Sequence, residues 1–279
     1  MIRATILGCG SSGGVPRLGG HWGACDPTNP RNRRRRCALL VECEVGDEVA
    51  REGDGDPAQG VTRILIDTGP DMVPQLTDAG VGLLDAVVWT HAHADHIHGI
   101  DDLRQIAQNR RAMLPGWADA ETEAALRTRF GYIFETPPGS PYPPVVTLNR
   151  IDGPFRIDGA GGSLLLTPFE VDHGGTPALG FRIAEREDGP ALVYLPDVLS
   201  IPDAAWPAIE GAEVFICDAL RRTPHPSHAH LALALDWIER AGAARGIITN
   251  MHVDMDHDAV MADTPPHVVP AHDGMVVTL

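Results

Sequence analysis

Long apolar runs are missing from this sequence. No run approaches the ~20 apolar residues that a helix needs to cross a bilayer. The first residues, Met1 to Gly8, enter a strand-like pattern and lack the apolar stretch and cleavage site of a signal peptide. We therefore expect no membrane partner and a cytoplasmic location.

Cysteine is scarce, and no two cysteines form a close pair in the chain. The five, an odd number, are Cys9, Cys25, Cys37, Cys43 and Cys217. This count and spacing do not suit a disulfide framework and are typical of reduced, mostly buried thiols.

Positive charge is also in short supply, with 22 lysine and arginine residues against 38 aspartate and glutamate residues and a net charge of −16. Long nucleic acids bind proteins mainly through cationic contacts to phosphates. The charge therefore argues against a long nucleic acid as a partner. The acidic chain contains one cluster of basic residues, which consists of Arg31, Arg33, Arg34, Arg35 and Arg36. A phosphate-binding patch and a solvated loop both fit it, and we favour the loop because charge runs are usually solvated.

Short strand-like runs bounded by glycine, proline and aspartate recur along the chain. They lie at residues 4–7, 38–41, 63–66, 86–89, 163–167, 178–183, 191–195, 214–216, 246–249 and 275–278. Helical spacing is clearest at residues 97–111, 118–129 and 229–241. Residues 44–60 are predicted to be an exposed loop. We expect an α+β fold of two sheets with helices outside.

The most informative segment is residues 90–99, T-H-A-H-A-D-H-I-H-G, which follows a run of strand composition. In an extended chain His91 and His93 point the same way, so both imidazoles can reach one ion. Asp95 and His96 lie where the chain must turn into the predicted helix, and they can face a second ion. A solvated histidine-rich loop is the alternative, and the ligand spacing and the flanking strand and helix argue against it.

The element His91-x-His93-x-Asp95-His96 resembles the H-x-H-x-D-H signature of the metallo-β-lactamase-fold hydrolases. This resemblance implies a four-layer αββα sandwich with a two-metal site along one edge. We expect a single domain over residues 1–279, because the candidate ligands span nearly the whole chain.

Three flanking segments narrow the resemblance. They are L-G-C-G-S-S-G-G-V-P at residues 7–16, D-T-G at 67–69 and D-G-M at 273–275. They are similar to segments of the PhnP-type phosphodiesterases, which hydrolyse cyclic ribose phosphates and are related to ribonuclease Z. The likeness runs from roughly residue 2 to residue 278.

The resemblance implies further metal ligands outside the central motif. His173 follows an apolar run and precedes two glycines, which matches the third histidine at the first metal. Asp197 ends the run before it in Leu-Pro-Asp and matches the carboxylate that bridges both ions. For the last ligand we favour His252, which follows the strand-like run at 246–249. His272 is its rival and His257 a weaker third.

The resemblance also implies catalytic residues and a missing site. His228 falls where PhnP-type enzymes carry a non-ligand histidine near the scissile phosphate, so it is expected to stabilise the transition state or to protonate the leaving oxygen. Asp95 is expected to be both ligand and catalytic residue. PhnP-type proteins also carry a cysteine-rich structural zinc site, of which only Cys25 remains here beside His21. We predict no structural zinc, because such sites usually need four protein ligands.

These features together predict a two-metal phosphodiesterase with a small nucleotide- or ribose-phosphate ester as substrate, including cyclic esters. Two divalent ions, zinc or manganese, would lower the pKa of a bridging water so that hydroxide is available near neutral pH. Three alternatives stay open: a lactonase or thioesterase on the same scaffold, a tRNA 3′-processing endonuclease, and a metal-binding protein without activity. The sequence is compatible with a homodimer.

Overall fold

The computed structural model describes residues 1–44 and 60–279. Its strands are β1 (Ile2–Gly8), β2 (Ala38–Glu44), β3 (Val61–Ile66), β4 (Ala86–Val88), β5 (Leu114–Ala118), β6 (Val146–Arg150), β7 (Phe155–Gly159), β8 (Gly162–His173), β9 (Thr176–Ala184), β10 (Leu192–Leu195), β11 (Val214–Asp218), β12 (Arg245–Thr249), β13 (Val268–Pro270) and β14 (Met275–Thr278). Its α-helices are α1 (Met72–Asp78), α2 (Ala94–Ile97), α3 (Leu103–Arg110), α4 (Ala120–Phe134), α5 (Trp206–Ile209), α6 (Leu231–Ala241) and α7 (His257–Asp263). Within the two described ranges, no helix is long and apolar enough to span a bilayer.

The strands form two sheets, and each sheet changes from antiparallel to parallel pairing partway across. The order in the first is β14-β1-β2-β3-β4-β5-β6, with parallel pairing from β3 to β6. The order in the second is β13-β12-β11-β10-β9-β8-β7, with parallel pairing from β13 to β10. In each sheet several neighbouring strands therefore end at one edge, which is where open α/β sheets place their ligands.

Alternating side chains of the first sheet divide between two cores, as strand geometry requires. In β3, Ile64 and Ile66 join the core between the sheets, whereas Leu65 joins a second core beneath α1, α3 and α4. On the other side of the molecule, α5 and α6 pack against the second sheet. The result is the four-layer αββα arrangement that the sequence resemblance implies.

The predicted strands all occur, whereas β5, β6, β7 and β13 are not predicted by the sequence pattern. In β5 the pattern fails because Pro115 and Gly116 are residues that disfavour strands. Glycine is needed there, since a Cβ on Gly116 would lie 2.6 Å from Cγ1 of Val146 on the neighbouring strand. The loop predicted at 44–60 lies almost wholly outside the described residues, which omit 45–59.

The helix predicted at residues 97–111 is wrong in its first six residues, whereas α3 occupies most of the rest. α2 ends at Ile97, and a 3₁₀ turn precedes α3. The chain is held here against the loop that follows β3: the Gly99 N–H donates to the Thr68 carbonyl at 2.8 Å, and a Cβ on Gly99 would lie 2.2 Å from the Gly69 carbonyl oxygen. This contact breaks the helix and fixes the histidine motif against the end of β3.

The basic cluster differs from the solvated loop that the sequence favours. Arg34 is only 2% exposed. Arg35 and Arg36 are half-buried and each pairs with an aspartate of the α1 region, at 2.7 and 2.9 Å. The expectation is wrong for these three arginines, because their side chains pack into the fold or pair with acids and so leave bulk water.

Asp273, in the turn before β14, ties the end of the described chain to its beginning. Its carboxylate oxygens accept hydrogen bonds from the backbone N–H groups of Cys9 at 3.2 Å and Arg35 at 2.8 Å. Burial raises the pKa of this carboxyl to about 6, although both donors act to lower it. The fold therefore binds the proton of Asp273 more tightly than an unfolded chain does.

Because the pKa of Asp273 is raised to about 6 from an ordinary value of 3.8, its contribution to the free energy of unfolding should fall as the pH rises through this window. The fall should be at most about 3 kcal/mol, at about 1.4 kcal/mol per pKa unit. Urea unfolding of the wild type and of Asp273→Asn at several pH values would measure it. We expect the wild-type free energy minus that of the variant to decrease with pH, and a pH-independent difference would contradict this account.

Candidate metal centre

Polar side chains follow the parallel strands of both sheets at the point where each strand ends. Asp67 follows β3, and His91 comes shortly after β4 in the same sheet. In the second sheet Asp197 follows β10, Asp218 ends β11 and Asn250 follows β12. Since the two sheets pack face to face, these strand ends meet at one edge of the sandwich.

Three histidines form the first group at this edge. His93 Nδ1 lies 3.0 Å from His91 Nε2 and 3.2 Å from His173 Nε2. His173 ends the long strand β8, so the group joins both sheets. Three converging imidazole nitrogens are a donor set suited to zinc and other borderline divalent metals.

A second group adjoins the first through one carboxylate. Asp197 Oδ2 lies 2.6 Å from His96 Nε2 and 3.3 Å from His91 Nε2. Asp95 lies at the outer side, with its Oδ2 3.6 Å from His96 Nε2. The structure thus brings together six of the predicted site residues, and Asp197 stands between the two groups as a bridging carboxylate would.

The residues present fit metal ions, because three of the histidines have a hydrogen-bond partner on Nδ1, the nitrogen that faces away from the two groups. The Nδ1 atoms face a hydroxyl, a carboxylate and a carbonyl: Thr90 Oγ1 at 3.0 Å from His91, Asp67 Oδ2 at 2.7 Å from His96, and Ser227 O at 2.7 Å from His173. Each ring therefore turns its Nε2 toward the group. Metal-ligating histidines are typically oriented in this way by a partner on the second nitrogen.

The electrostatics of the two groups differ. Burial, with the neighbouring charge of His96, holds the pKa of His91 well below its usual value, so His91 is neutral and can donate a lone pair. Burial acts in the same direction on His96, but the carboxylates of Asp197 and Asp67 raise the pKa of His96 well above its usual value. Despite its burial, Asp197 has a pKa held well below the usual range, mainly by His96. The carboxylate between the groups is therefore charged.

His228 lies beside the centre and is held by a carboxylate that the sequence reasoning missed. Its Nδ1 is 2.9 Å from Asp218 Oδ2, which also accepts the Val198 N–H at 3.0 Å. Its ring centroid is 4.5 Å from that of His173. Burial raises the pKa of Asp218 to about 7. The available signal was an acidic residue at the end of an apolar run, the pattern shared with Asp67 and Asp197.

Asn250 lies directly after β12. Its backbone is left-handed, with a φ of 61°. Its Nδ2 contacts Asp197 Oδ1 and lies 3.2 Å from His228 Nδ1. An amide, not an imidazole, therefore reaches the shared carboxylate from this strand.

The three histidines considered for the last ligand position lie apart from the two groups among the described residues. His252 Nδ1 is 2.8 Å from Asp254 Oδ1, and its Nε2 contacts the guanidinium of Arg17. His272 Nδ1 is 3.1 Å from a neighbouring backbone carbonyl. His257 lies next to His272, with ring centroids 6.3 Å apart. Metal ligation by His252 stays a prediction.

A buried arginine, Arg34, lies beside Cys25. All five cysteines are free and buried, which confirms the expectation for the thiols. The Cys25 thiol donates to the Val253 carbonyl at 3.4 Å and lies 3.8 Å from Arg34 Nη1. Arg34 Nη2 donates to Asn32 Oδ1 and to the Met255 carbonyl at 3.2 and 2.7 Å. This guanidinium joins two loops, and the absence of a structural zinc stays a prediction.

Asp67→Asn should weaken binding at the second group, because His96 loses the carboxylate that orients its ring. Loss of such a partner typically costs about 10- to 100-fold in metal affinity. Titration of metal-free protein with zinc or manganese against a competing chelator would measure the loss. Asp78→Asn, which changes an exposed aspartate paired with Arg35, is the matched control. If both variants bound metal as the wild type does, Asp67 would have no part in the site.

Comparison with known proteins agrees with this fold. The family profile of the β-lactamase superfamily domain matches residues 62–251. A diphosphatase of the PhnP family with a known crystal structure is 32% identical, covers 99% of this chain and 96% of its own, and superposes with a TM-score of 0.81. Zinc-bound PqqB from Methylobacterium extorquens, at 16% identity and a TM-score of 0.71 over 99% of this chain and 100% of its own, shares the fold.

Two further relatives are similar in sequence. An octanoyltransferase of Porphyromonas gingivalis is 31% identical over 280 residues, which is 98% of this chain and 51% of that protein. A ribonuclease Z of Gemmatimonas aurantiaca is 30% identical over 162 residues, which is 56% of this chain and 49% of that protein. The chain thus spans about half the length of both. From the matched profile and the PhnP-family relative, the chain belongs to the metallo-β-lactamase superfamily and, within it, to the PhnP family.

Proposed function

We propose that this protein is a two-metal phosphodiesterase that hydrolyses a small nucleotide- or ribose-phosphate ester, including cyclic esters. The observation that carries the proposal is the position of Asp197, whose Oδ2 lies between His91 and His96. His228 stands beside this shared carboxylate, with its Nδ1 3.7 Å from Asp197 Oδ1. A pair of metal sites with an adjacent imidazole is a suitable arrangement for cleaving a phosphate ester.

We assign ligands to the two ions from these contacts. His91, His93 and His173 would hold one ion, Asp95 and His96 the other, and Asp197 would touch both; His252 is a further ligand in the sequence-based prediction. When bound, two divalent ions, zinc or manganese, activate water for attack and offset negative charge on the phosphoryl oxygens. The neutral His91 and the charged Asp197 are already in the forms that bind cations.

His228 is proposed to protonate the leaving oxygen. Asp218 fixes the ring through Nδ1, and among the described residues His228 Nε2 has no partner, so this nitrogen is available to substrate. Burial acts to lower the pKa of His228, but Asp218 outweighs it and raises the pKa. A protonated imidazole near neutral pH is the form that a general acid requires.

The net charge of the chain and the names of two similar proteins support hydrolysis of a small phosphate ester. The net charge of −16 and the buried or paired state of Arg34, Arg35 and Arg36 give little surface for a long RNA. The diphosphatase and the ribonuclease Z that the chain resembles have names that denote cleavage at phosphorus. We also expect a cytoplasmic enzyme, since all five thiols are free and buried.

A second candidate is the hydrolysis of an acyl ester or thioester. The octanoyltransferase relative matches 98% of this chain and carries the name of an acyl-transferring enzyme. The match covers 51% of that protein, so the name can belong to its other half. The imidazole held beside the metal groups favours phosphodiester cleavage, in which a poor leaving oxygen needs a proton.

A substrate panel separates these candidates. Metal-reconstituted protein should contain two ions per chain by elemental analysis and should hydrolyse bis-p-nitrophenyl phosphate and a cyclic ribose phosphate. Under the same conditions a lactone and an octanoyl thioester should react much more slowly. Asp197→Asn should lower both the metal content and the phosphodiesterase rate, because the shared carboxylate is lost. Faster cleavage of the thioester than of the phosphodiesters would reverse the assignment.

His228→Ala tests the general-acid role. Both ions should remain bound and turnover should fall roughly 10²- to 10⁴-fold, the usual range for a positioned proton donor. The loss should be smaller for p-nitrophenolate than for an alkoxide leaving group, since p-nitrophenolate scarcely needs a proton as it departs. Equal losses for the two would leave electrostatic stabilisation as its role, and release of an ion would make His228 a ligand.

A further inference from the structure

Asn250 meets Asp197 at the edge of the second sheet, and the register of the strands places them there. Leu195 pairs with Cys217, and Cys217 pairs with Ile248. Asp197 and Asn250 each lie two residues beyond this row, so they stand at the same level. The amide Nδ2 of Asn250 contacts Oδ1 of Asp197. The fold therefore carries an amide to this buried carboxylate.

The amide of Asn250 leaves its oxygen without a partner. Its Nδ2 lies 3.2 Å from His228 Nδ1, and an N–H must face the Asp197 carboxylate, because two oxygens there would repel each other. The free end of the amide is therefore Oδ1. It has no hydrogen-bond partner in the part of the chain that the structure describes, although Asn250 is only 2% exposed. Buried polar atoms nearly always have a partner, and a bound ion is one explanation where the chain supplies none.

His252, which the sequence favours as the last metal ligand, has both ring nitrogens in use. Its Nδ1 is 2.8 Å from Asp254 Oδ1, and its Nε2 contacts the guanidinium of Arg17. A histidine can bind a metal only through a nitrogen whose lone pair is free. The amide oxygen of Asn250 is free and stands beside the shared carboxylate, whereas neither nitrogen of His252 is free.

The second group differs from the first in its donor atoms. The first consists of three imidazoles. The second has the imidazole of His96 and the carboxylates of Asp95 and Asp197. An amide oxygen from Asn250 would make it richer still in oxygen. Imidazoles suit zinc, whereas carboxylate and carbonyl oxygens suit harder cations such as manganese. The two groups therefore favour different metals.

We propose that Asn250 Oδ1 is a ligand of the second ion and that the centre holds two unlike metals. Zinc binds at the three imidazoles, and manganese binds at Asp95, His96 and Asn250, with Asp197 touching both ions. The proposal rests on the two-metal centre of the proposed function and specifies which metal each group takes. Asn250 replaces His252 as the last ligand.

A titration that adds zinc first tests the metal preference. Metal-free protein receives one equivalent of zinc, and manganese is then added while the electron paramagnetic resonance (EPR) signal of free manganese is followed. The wild type should take up one manganese ion per chain. Asn250→Ala should bind manganese at least about 10-fold more weakly, since even an outer-shell partner is worth that much. Asn109→Ala removes an exposed asparagine and should bind as the wild type does. Equal binding by Asn250→Ala would overturn the proposal.

Pulsed EPR counts the imidazoles bound to manganese and needs no variant. In the zinc-loaded wild type, the nitrogen modulation of the manganese signal should show one coupled imidazole, that of His96. Two would mean that a second histidine is a ligand, and three would put manganese in the first group. Either result would overturn the proposal. His252→Gln should change neither the count nor the affinity, and loss of manganese in this variant would restore the sequence-based assignment.

Asn250→His separates ligation from a purely structural role. An imidazole in place of the amide oxygen should raise the ratio of zinc to manganese affinity at the second site, and the pulsed spectrum should gain a second imidazole. If Asn250 only orients Asp197 through its Nδ2, the spectrum would still show one imidazole. No substrate is present in these experiments, so they test the ligand apart from the reaction. Absence of both ions would overturn this proposal and the proposed function, whereas two imidazoles on manganese in the wild type would overturn this proposal alone.

Discussion

A buried carboxylate that contacts both His91 and His96 holds the functional edge of this protein together. Asp197 is charged although it is 4% exposed, and a buried charge costs free energy unless it is paired. Its partners, His91 and His96, come from the first sheet, while Asp197 itself ends a strand of the second. The centre therefore depends on the packing of the two sheets.

Further buried carboxylates stand behind this centre. Asp67 orients His96 and Asp218 orients His228, and each ends or follows a buried parallel strand. These carboxylates hold the imidazoles from the side away from the centre, which is how metal-ligating histidines are typically oriented. An anionic substrate needs attraction of the opposite sign, which the metal ions would supply.

The sequence predicts the centre where ligands are close together in the chain or lie at recognisable strand ends. The spacing of His91 and His93 predicts a common face, and the structure places both in the first group. Asp218 escapes prediction because its one signal, an acidic residue at the end of an apolar run, does not show that it will hold His228. The position of His252 depends on how residues 250–252 pack against the loop that follows β1. These segments are far apart in the sequence, so residue spacing does not predict their contact.

In the fold, too, local patterns are predicted from the sequence and contacts between distant segments are not. Alternation of apolar residues predicts the central strands. The sequence pattern does not predict β5, because it contains Gly116, which disfavours a strand but is needed for close packing against the neighbouring residues. The helix after the histidine motif is broken by a backbone contact at Gly99 from a distant loop. Local periodicity is a property of the sequence, but close approach between segments is a property of the folded chain.

The most direct test of this account is a crystal structure of manganese-loaded protein with anomalous diffraction data. Two anomalous peaks should appear at the strand-end edge, one bounded by His91, His93 and His173 and the other by Asp95 and His96. A carboxylate oxygen of Asp197 should lie within ligand distance of both. A single peak, or an Asp197 carboxylate that contacts neither ion, would contradict the claim that this shared carboxylate organises a two-metal centre.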